Sequence, residues 1–375
     1  MELVAEHRGA FGVEPLLREL NIPKPTFDGW VKRAAHPCAR EVRDGELLAA
    51  IRRIHAESGG VYGSPRVHAQ LKREGEAVSR KRVERLMRQA GIVGVAPARK
   101  LRTTIPNPAD ERPADLVGRD FTAGAPDRLW VTDLTVITTG EGPLWLASIR
   151  DAFSRKVIAW ETSDTADADL VCAVLEYALG SRRPAGDGAL IHHADHGSQY
   201  TSIKLTNRLV RAGIRASMGT VGDSYDNALA ENLWSAIKTE CVRLHPERFT
   251  TRAQANEALF EYLDGFYNPR RIQKGLGWRA PDEFEDAHAA GELTDADYQR
   301  LAELAARRRR RRTQTKQTAR SSTAHHADTG AAQHPRRQPP RPRRRTSPTE
   351  PAGTANRVRP TGRTPTNTKE STSTG

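Results

Sequence analysis

The chain has few cysteines and no long apolar run. Its three cysteines, Cys38, Cys172 and Cys241, form no C-x-x-C pair, which argues against a disulfide framework or a zinc finger and fits a reducing compartment. No stretch of about 18 apolar residues is present, and the N-terminus has no continuous apolar signal region. These absences predict a soluble cytoplasmic protein without a membrane segment.

The charge is unevenly distributed along the chain. The formal net charge is +13, but residues 307–375 alone contain 18 Lys and Arg against three acidic residues. Residues 49–102 carry 13 basic and four acidic groups, whereas residues 103–306 carry 21 basic and 31 acidic groups. The sequence therefore predicts a basic module that binds phosphates, an acidic central domain and a basic tail.

Two short helical patterns in the basic module predict a helix-turn-helix. Ser64 and Ser79 are suited to cap the two helices, and Gly75 and Gly91 are suited to end them. Basic residues cluster at the start of the second helix, so we favour DNA contact over a basic helical hairpin that only packs on its neighbour. The predicted DNA-binding residues of this helix are Arg80, Lys81, Arg82 and Arg85.

Strand patterns begin after a Pro- and Ala-rich segment. RLWVTDLTVIT, PLWLASIRD and RKVIAWET are three β-branched runs separated by turns, which predicts an antiparallel meander. Helices then alternate with the strands ALIHHAD and IRASM, so we expect an α/β fold with a mixed sheet flanked by helices. The predicted divisions are a helical region (1–97), a linker (98–127), the α/β core with its C-terminal helices (128–290), a short helical end (291–306) and a disordered tail (307–375).

Three carboxylates stand at unusual places in this pattern. Asp133 lies inside the first apolar strand, Asp195 ends the fourth strand just before His-Gly, and Glu231 lies in a later helix. In the predicted sheet the first and fourth strands are neighbours, so Asp133 and Asp195 could meet at one edge. Carboxylates brought together repel, and a divalent cation such as Mg²⁺ relieves the repulsion.

These carboxylates resemble the DDE triad of transposases and retroviral integrases, which have a ribonuclease H-like fold. LWVTDLT, ASIRDAFSRKVIAW, HHADHGSQYTS, SYDNALAENLWSAIKTE and YNPRRIQKGLG resemble successive motifs of one bacterial insertion-sequence family, and YGSPRVHAQLKREG resembles the start of its helix-turn-helix. The resemblance covers roughly residues 10–288. It implies a transposase that cleaves and joins DNA strands at the ends of its element by two-metal phosphoryl transfer, with two Mg²⁺ ions (or Mn²⁺) held by Asp133, Asp195 and Glu231.

The same resemblance implies roles for four further residues. Lys238 follows Glu231 by seven residues, which in an α-helix places both side chains on one face, and it would contact the terminal DNA. Asn227, also a DNA-contact candidate, and Asp226 match the family's DN pair. His193 matches its HxD motif, so we predict a supporting role near the metals rather than a zinc site.

The resemblance also implies partners and leaves alternatives. The expected partners are the terminal repeats, target DNA, further copies of the chain on DNA and the product of an upstream overlapping frame, all at the bacterial nucleoid. The alternatives are a ribonuclease H-like nuclease and a catalytically silent repressor. The basic module disfavours the nuclease, and the intact triad disfavours the silent repressor.

Asp151, at a strand end, is predicted to form a turn rather than to bind metal.

The chain departs from the family pattern at two places. Gln273 stands where the family usually has a histidine. The family's chain usually ends soon after the motif APDEF, whereas this chain continues through residues 307–375. We favour translational readthrough as the origin of this tail over an arm that wraps DNA.

Overall fold

The computed structural model describes residues 2–96, 114–118, 120–195, 197, 199–219, 228–304 and 306–307. The predicted tail beyond residue 307 and most of the predicted linker lie outside these residues, so the predictions made for them stay predictions. Among the described helices, none is long and apolar enough to cross a membrane.

The N-terminal region is helical, as predicted. Its described helices are α1 (Glu2–Phe11), α2 (Val13–Glu19), α3 (Lys24–Ala35), α4 (Ala39–Glu57), α5 (Ser64–Arg73) and α6 (Arg80–Gln89). The last two form the predicted pair, with Ser79 Oγ accepting a hydrogen bond from the Arg82 amide at the start of α6. Both helices pack on α4 through a buried apolar core that includes Ile51, Val67 and Val83.

A five-stranded mixed sheet forms the centre of the second part. Its strands are β1 (Leu129–Thr139), β2 (Gly142–Asp151), β3 (Val157–Ser163), β4 (Ile191–Ala194) and β5 (Arg215–Met218). The spatial order is β3-β2-β1-β4-β5; the first three strands are antiparallel, and β4 and β5 continue the sheet in parallel from β1. This confirms the predicted meander and the mixed α/β, ribonuclease H-like sheet.

Helices cover both faces of this sheet. They are α7 (Ala168–Arg182), α8 (Ile203–Arg211), α9 (Ala228–Ala236), α10 (Arg252–Tyr262) and α11 (Pro281–Ala289), followed by a helix over 295–304. One apolar core includes residues of α7 and α8, and the other includes residues of α9 and α10. The strand β1 contributes Trp130 to the first core and Ile137 to the second, so it lies between them.

Two helices of the core end in a different helical form. The helix that carries Glu231 is α-helical at Ala228–Ala236 and continues as a π-helical turn at Ile237–Val242. In the same way, α10 continues as a π-helical turn at Leu263–Tyr267. A π-helical turn accommodates one extra residue and so changes which face the following side chains occupy.

Part of the predicted linker belongs to the α/β core instead. Val117 is buried in an apolar cluster with β1, and the Phe121 ring contacts the His193 ring edge-on at 5.5 Å. The Asp127 amide donates to Asp151 Oδ2 at 2.8 Å. Apolar and hydrogen-bonding partners therefore fix residues 114–118 and 120–127, where weak periodicity in the sequence had indicated a linker.

The helical region packs directly on the α/β core. The Tyr62 hydroxyl donates to the Arg270 carbonyl and accepts from the Ile272 amide, both at 2.9 Å. Ile272 is buried within the apolar core of the helical region. The two predicted divisions are thus joined by a shared apolar and polar interface.

Candidate active site

The register between β1 and β4 brings two predicted carboxylates to the same level of the sheet. The strands are parallel, and Val131 pairs with His193. Continuing this register by two residues aligns Asp133 with Asp195, which directly follows β4. Residues aligned in a parallel pair project from the same face of the sheet, so the two aspartates face the same region.

Asp133 is a buried carboxylate with two protein donors. Its side chain is 9% exposed, Oδ1 accepts from the Leu134 amide, and Oδ2 accepts from Trp234 Nε1, both at 2.8 Å. Burial raises the pKa of Asp133, and the negative charge of Asp195 and, to a smaller extent, that of Glu231 raise it further. The two hydrogen bonds only partly oppose this shift, so without a bound cation the carboxyl of Asp133 favours its protonated form.

Gly197 explains the turn that follows Asp195. The Gly197 amide donates to Asp195 Oδ1 at 3.0 Å. A Cβ atom at residue 197 would lie 3.2 Å from that oxygen and 2.9 Å from Gln199 Oε1. Glycine therefore allows the backbone to approach the carboxylate closely and to fix its orientation at the strand end.

The helix α9 places Glu231 beside these aspartates. Leu233 and Ile237 bury the helix against β1 and β2, and Trp234 reaches Asp133 from the same helix. Glu231 is half-buried, and its charge acts on Asp133. Asp195, which follows β4, and Glu231, which lies in a helix, are therefore each near enough to influence Asp133 in β1.

Tyr200 and Trp234 also lie in the site, although neither is predicted from the sequence as a site residue. Tyr200 is buried, and its hydroxyl lies 3.5 Å from Thr132 Oγ1. Burial and the charges of Asp133 and Asp195 raise the pKa of Tyr200 well above its ordinary value, so it is a neutral phenol. For Trp234 the sequence does contain a signal. It follows Glu231 by three residues, and residues at this spacing share one face of a helix.

The donor set suits a hard divalent cation. The predicted ligands supply only carboxylate oxygens, which Mg²⁺ and Mn²⁺ prefer, and a cation would offset the charge that raises the pKa of Asp133. Across the residues that the structure describes, however, no three His, Cys, Asp or Glu side chains converge closely enough to form a ready-made metal site. Mutual repulsion opposes closer convergence of three carboxylates unless a cation is bound.

Lys238 lies near this site, on the π-helical turn. Its side chain is exposed, partial desolvation lowers its pKa, and the charge of Asp133 opposes that shift. Because the helix changes form at Ile237, the α-helical angle expected between Glu231 and Lys238 does not apply. The charge of Asp133 acts on Lys238, so the lysine lies near the carboxylates, while its contact with DNA stays a prediction.

The other predicted residues near the triad have separate outcomes. Asn227 and Asp226 lie outside the described residues. His193 is buried, and its Nδ1 forms a 2.9 Å hydrogen bond with Ser217 Oγ.

Asp151 is buried and forms a turn as predicted, with Oδ1 accepting from the amides of Phe153 and Ser154. Its prediction as a turn-former is confirmed.

Gln273, the departure from the family pattern, is also buried. Among the described residues its Nε2 has no hydrogen-bond partner, while its backbone forms a bridge with Arg279. The structure gives no reason for glutamine at this position.

The basic residues of α6 are less available than the sequence suggested. Arg82 and Arg85 both bind Asp44 of α4, each at 2.7 Å. Arg80 pairs with Glu84 at 2.8 Å, and Lys81 is exposed. Two of the four predicted phosphate-binding charges therefore help to hold α6 on α4, because Asp44, far earlier in the chain, pairs with both of them.

The buried His192 predicts a pH dependence of stability. Burial, aided by the neighbouring His193, lowers the pKa of His192 to about 4. Between this value and the ordinary value of about 6.5, the unfolded chain binds the proton more readily than the folded chain. We expect the free energy of unfolding to fall by up to about 3 kcal/mol as the pH falls through this range.

Denaturant unfolding of wild type and His192→Asn at several pH values checks this expectation. Asparagine does not titrate, so the variant should lose less stability on acidification. Equal pH slopes for both proteins would contradict the role of His192.

The chain matches family models in both of its parts. A model described as HTH-like domain matches residues 42–100, and two models described as integrase core domain match residues 123–224 and 212–281. The α5–α6 pair lies within the first match, and the strands and α9 lie within the other two.

Solved structures give only a weak likeness. A simian T-cell lymphotropic virus intasome chain has 13% identity and a TM-score of 0.37, over 63% of this chain and 74% of that chain. The HTLV-2 integrase catalytic core in complex with magnesium has 14% identity and a TM-score of 0.33, over 43% of this chain and 98% of that chain.

Sequence relatives are much closer. A Mycobacterium tuberculosis protein is named as a transposase for the insertion sequence element IS986/IS6110. It is 43% identical to this chain over 68% of this chain and 92% of its own length. The transposase of IS629 from Shigella sonnei is 40% identical over 77% and 97%, and that of IS3A from Escherichia coli is 31% identical over 76% and 98%. The chain therefore belongs to the family of insertion-sequence transposases that have an integrase core domain after a helix-turn-helix-like domain.

Proposed function

We propose that the chain cleaves DNA at the ends of an insertion sequence and transfers the freed 3′ ends to target DNA. The observation that carries the proposal is the parallel register of β1 with β4, which directs buried Asp133 and Asp195 to one region, together with the charges of Asp195 and Glu231 that act on Asp133. A polynucleotidyl transferase needs such a carboxylate group to hold divalent ions. The relatives are named as transposases, which supports this activity over a repair nuclease or a silent repressor.

Asp133, Asp195 and Glu231 would hold Mg²⁺, or Mn²⁺ in its place, as a pair of ions. When bound, these ions activate the attacking water or 3′-hydroxyl and stabilise the leaving oxygen. The three carboxylates alone would supply the protein ligands, leaving room for water and phosphate oxygens, as Mg²⁺ favours.

The surrounding residues orient these carboxylates. Trp234 Nε1 fixes one oxygen of Asp133, and the Gly197 amide fixes one oxygen of Asp195. Buried Tyr200 is a neutral phenol on which the charges of both aspartates act. The two aspartates thereby keep fixed orientations, which a reaction that depends on in-line geometry requires.

DNA would contact the protein at two places. Lys238 would bind a phosphate near the carboxylates, and the helix-turn-helix-like domain, with Lys81 exposed on α6, would bind the element's terminal repeats. Asn227 would contribute to the first contact, with Asp226 and His193 in supporting roles. Joining two element ends to one target requires several copies of the chain, so we propose a homo-oligomer on DNA in the bacterial cytoplasm.

A strand-cleavage assay tests this function. Purified protein is mixed with oligonucleotides that carry the element's own terminal repeats, and the products are separated on a denaturing gel. We expect nicked and joined products with Mg²⁺ or Mn²⁺ and none when a chelator removes the metal. Cleavage that continues in the chelator, or its absence with both metals, would contradict the proposal.

A further inference from the structure

Glu240 is a buried carboxylate on the helix that carries Glu231 and Lys238. We call residues 228–242, which comprise α9 and its π-helical turn, the catalytic arm. Glu240 lies in that turn with only 7% of its surface exposed. None of the roles proposed above uses this residue, although it lies two positions after Lys238.

Three side chains surround the Glu240 carboxylate. Arg271 donates through Nε at 2.6 Å and through Nη2 at 2.5 Å. The Tyr262 hydroxyl donates at 2.8 Å, and Arg66 Nη1 donates at 3.3 Å. Burial alone would raise the pKa of Glu240, but Arg271 and Arg66 more than offset it and the net shift is downward, so the carboxylate is ionised.

Such a buried ion pair contributes little net stability compared with well-packed apolar residues. Its directional bonds instead fix where its members lie. Here they fix a π-helical turn, a form that is rare and often found at functional sites. The turn also carries Lys238, so the position of Glu240 determines where the lysine side chain begins.

A second buried guanidinium holds the other end of the catalytic arm. Arg150 Nη1 donates to the Leu229 carbonyl at 2.9 Å, in the first turn of α9. The Tyr267 ring contacts both guanidinium groups, with its centroid 5.7 Å from Cζ of Arg150 and 5.3 Å from Cζ of Arg271. Glu231 and Lys238 therefore lie between two anchored ends of one arm.

One member of this network comes from the helix-turn-helix-like domain. Arg66 lies in α5, whereas Tyr262 and Arg271 belong to the C-terminal part of the core. We propose that Glu240 is a positioning residue for Lys238 and that Arg66 makes this positioning depend on the docked helix-turn-helix-like domain. The inference rests on the proposed function, because it concerns the geometry of strand cleavage.

The consequence concerns reaction rate more than affinity. DNA held by the helix-turn-helix-like domain reaches the carboxylates in a fixed register only if the arm is fixed to that domain. Loss of the Arg66 contact leaves Glu240 with Arg271 and Tyr262, so the arm stays folded but is less closely tied to α5. Displacement of a reacting group by about 1 Å is enough to slow catalysis up to about 10²-fold.

The test compares Arg66→Met with Arg73→Met. Arg73 lies on the same helix and also pairs with the core, at Glu283 of α11, but it does not touch the catalytic arm. We expect Arg66→Met to lower the single-turnover cleavage rate at saturating DNA about tenfold, with little change in DNA affinity. Arg66→Lys, which retains the charge, should restore part of the rate, and Arg73→Met should leave the rate near wild type.

Hydrogen exchange at residues 237–242, measured without DNA or metal, gives a readout independent of activity. Faster exchange in Arg66→Met than in Arg73→Met supports the inference. Equal exchange in the two variants overturns it, as does an equal loss of cleavage rate. If wild type fails to cleave DNA, the proposed function falls, while the exchange comparison still decides whether Arg66 holds the arm.

Discussion

Asp195→Asn is expected to abolish metal-dependent strand cleavage while leaving the fold intact. Asparagine keeps a side-chain oxygen for the Gly197 amide, which now donates to Asp195 Oδ1 at 3.0 Å. It removes the negative charge that would attract the ions, and charge stabilisation by a metal is worth several kcal/mol in the transition state. We expect the single-turnover rate with Mg²⁺ to fall by about 10³-fold or more.

Asp187→Asn is a matched control for this substitution. Asp187 precedes β4 as Asp195 follows it, and its Oδ1 likewise accepts from the amide two residues later, at 2.9 Å. It lies at the opposite end of the strand, away from Asp133. The control should cleave like wild type, and comparable loss in both variants, or retained cleavage in Asp195→Asn, would contradict the assignment.

Arg271→Met is expected to lower the free energy of unfolding more than any other substitution described above. Arg271 is 7% exposed and donates two hydrogen bonds to buried Glu240. Removing it leaves an ionised carboxylate in the protein interior with only Arg66 and Tyr262 as partners. Breaking one side of a buried ion pair costs about 3–5 kcal/mol, which denaturant unfolding measures directly.

Arg248→Met serves as the comparison for that measurement. Arg248 pairs with Glu261 at 2.6 Å, but both side chains are partly exposed, 34% and 55%. Exposed pairs contribute about 1 kcal/mol or less, so this variant should stay close to wild type. Glu240→Gln combined with Arg271→Met should recover part of the loss, because no unpaired charge then remains. Equal costs for Arg271→Met and Arg248→Met would refute the buried-charge explanation.

The main features of the sheet could be predicted from the sequence because they follow from local patterns. Three β-branched runs with short turns predict a meander, and a parallel return strand places Asp195 beside β1. The buried Asp133 was conspicuous because an isolated carboxylate in an apolar strand is costly. The structure confirms this strand order, whereas the catalytic roles of the residues stay proposals.

Contacts between distant segments could not be predicted in the same way. Asp44 and Arg82 are far apart in the sequence, and no pattern indicates that α4 neutralises α6. Glu240, Arg66 and Arg271 each look like ordinary surface charges, since their burial depends on how the helical region docks. The π-helical turns were missed because the apolar periodicity continues through them and does not show an extra residue per turn.

The parallel pairing of β1 with β4 has a consequence for how the gene tolerates changes of length. Inserting or deleting one codon in 129–133 or 191–195 would shift one aspartate by a residue and turn it to the opposite side of the sheet. A similar change at the hairpin tip near Glu141 leaves that pairing untouched. Single-codon changes in the first two segments are therefore expected to separate Asp133 from Asp195, whereas a change near Glu141 is not.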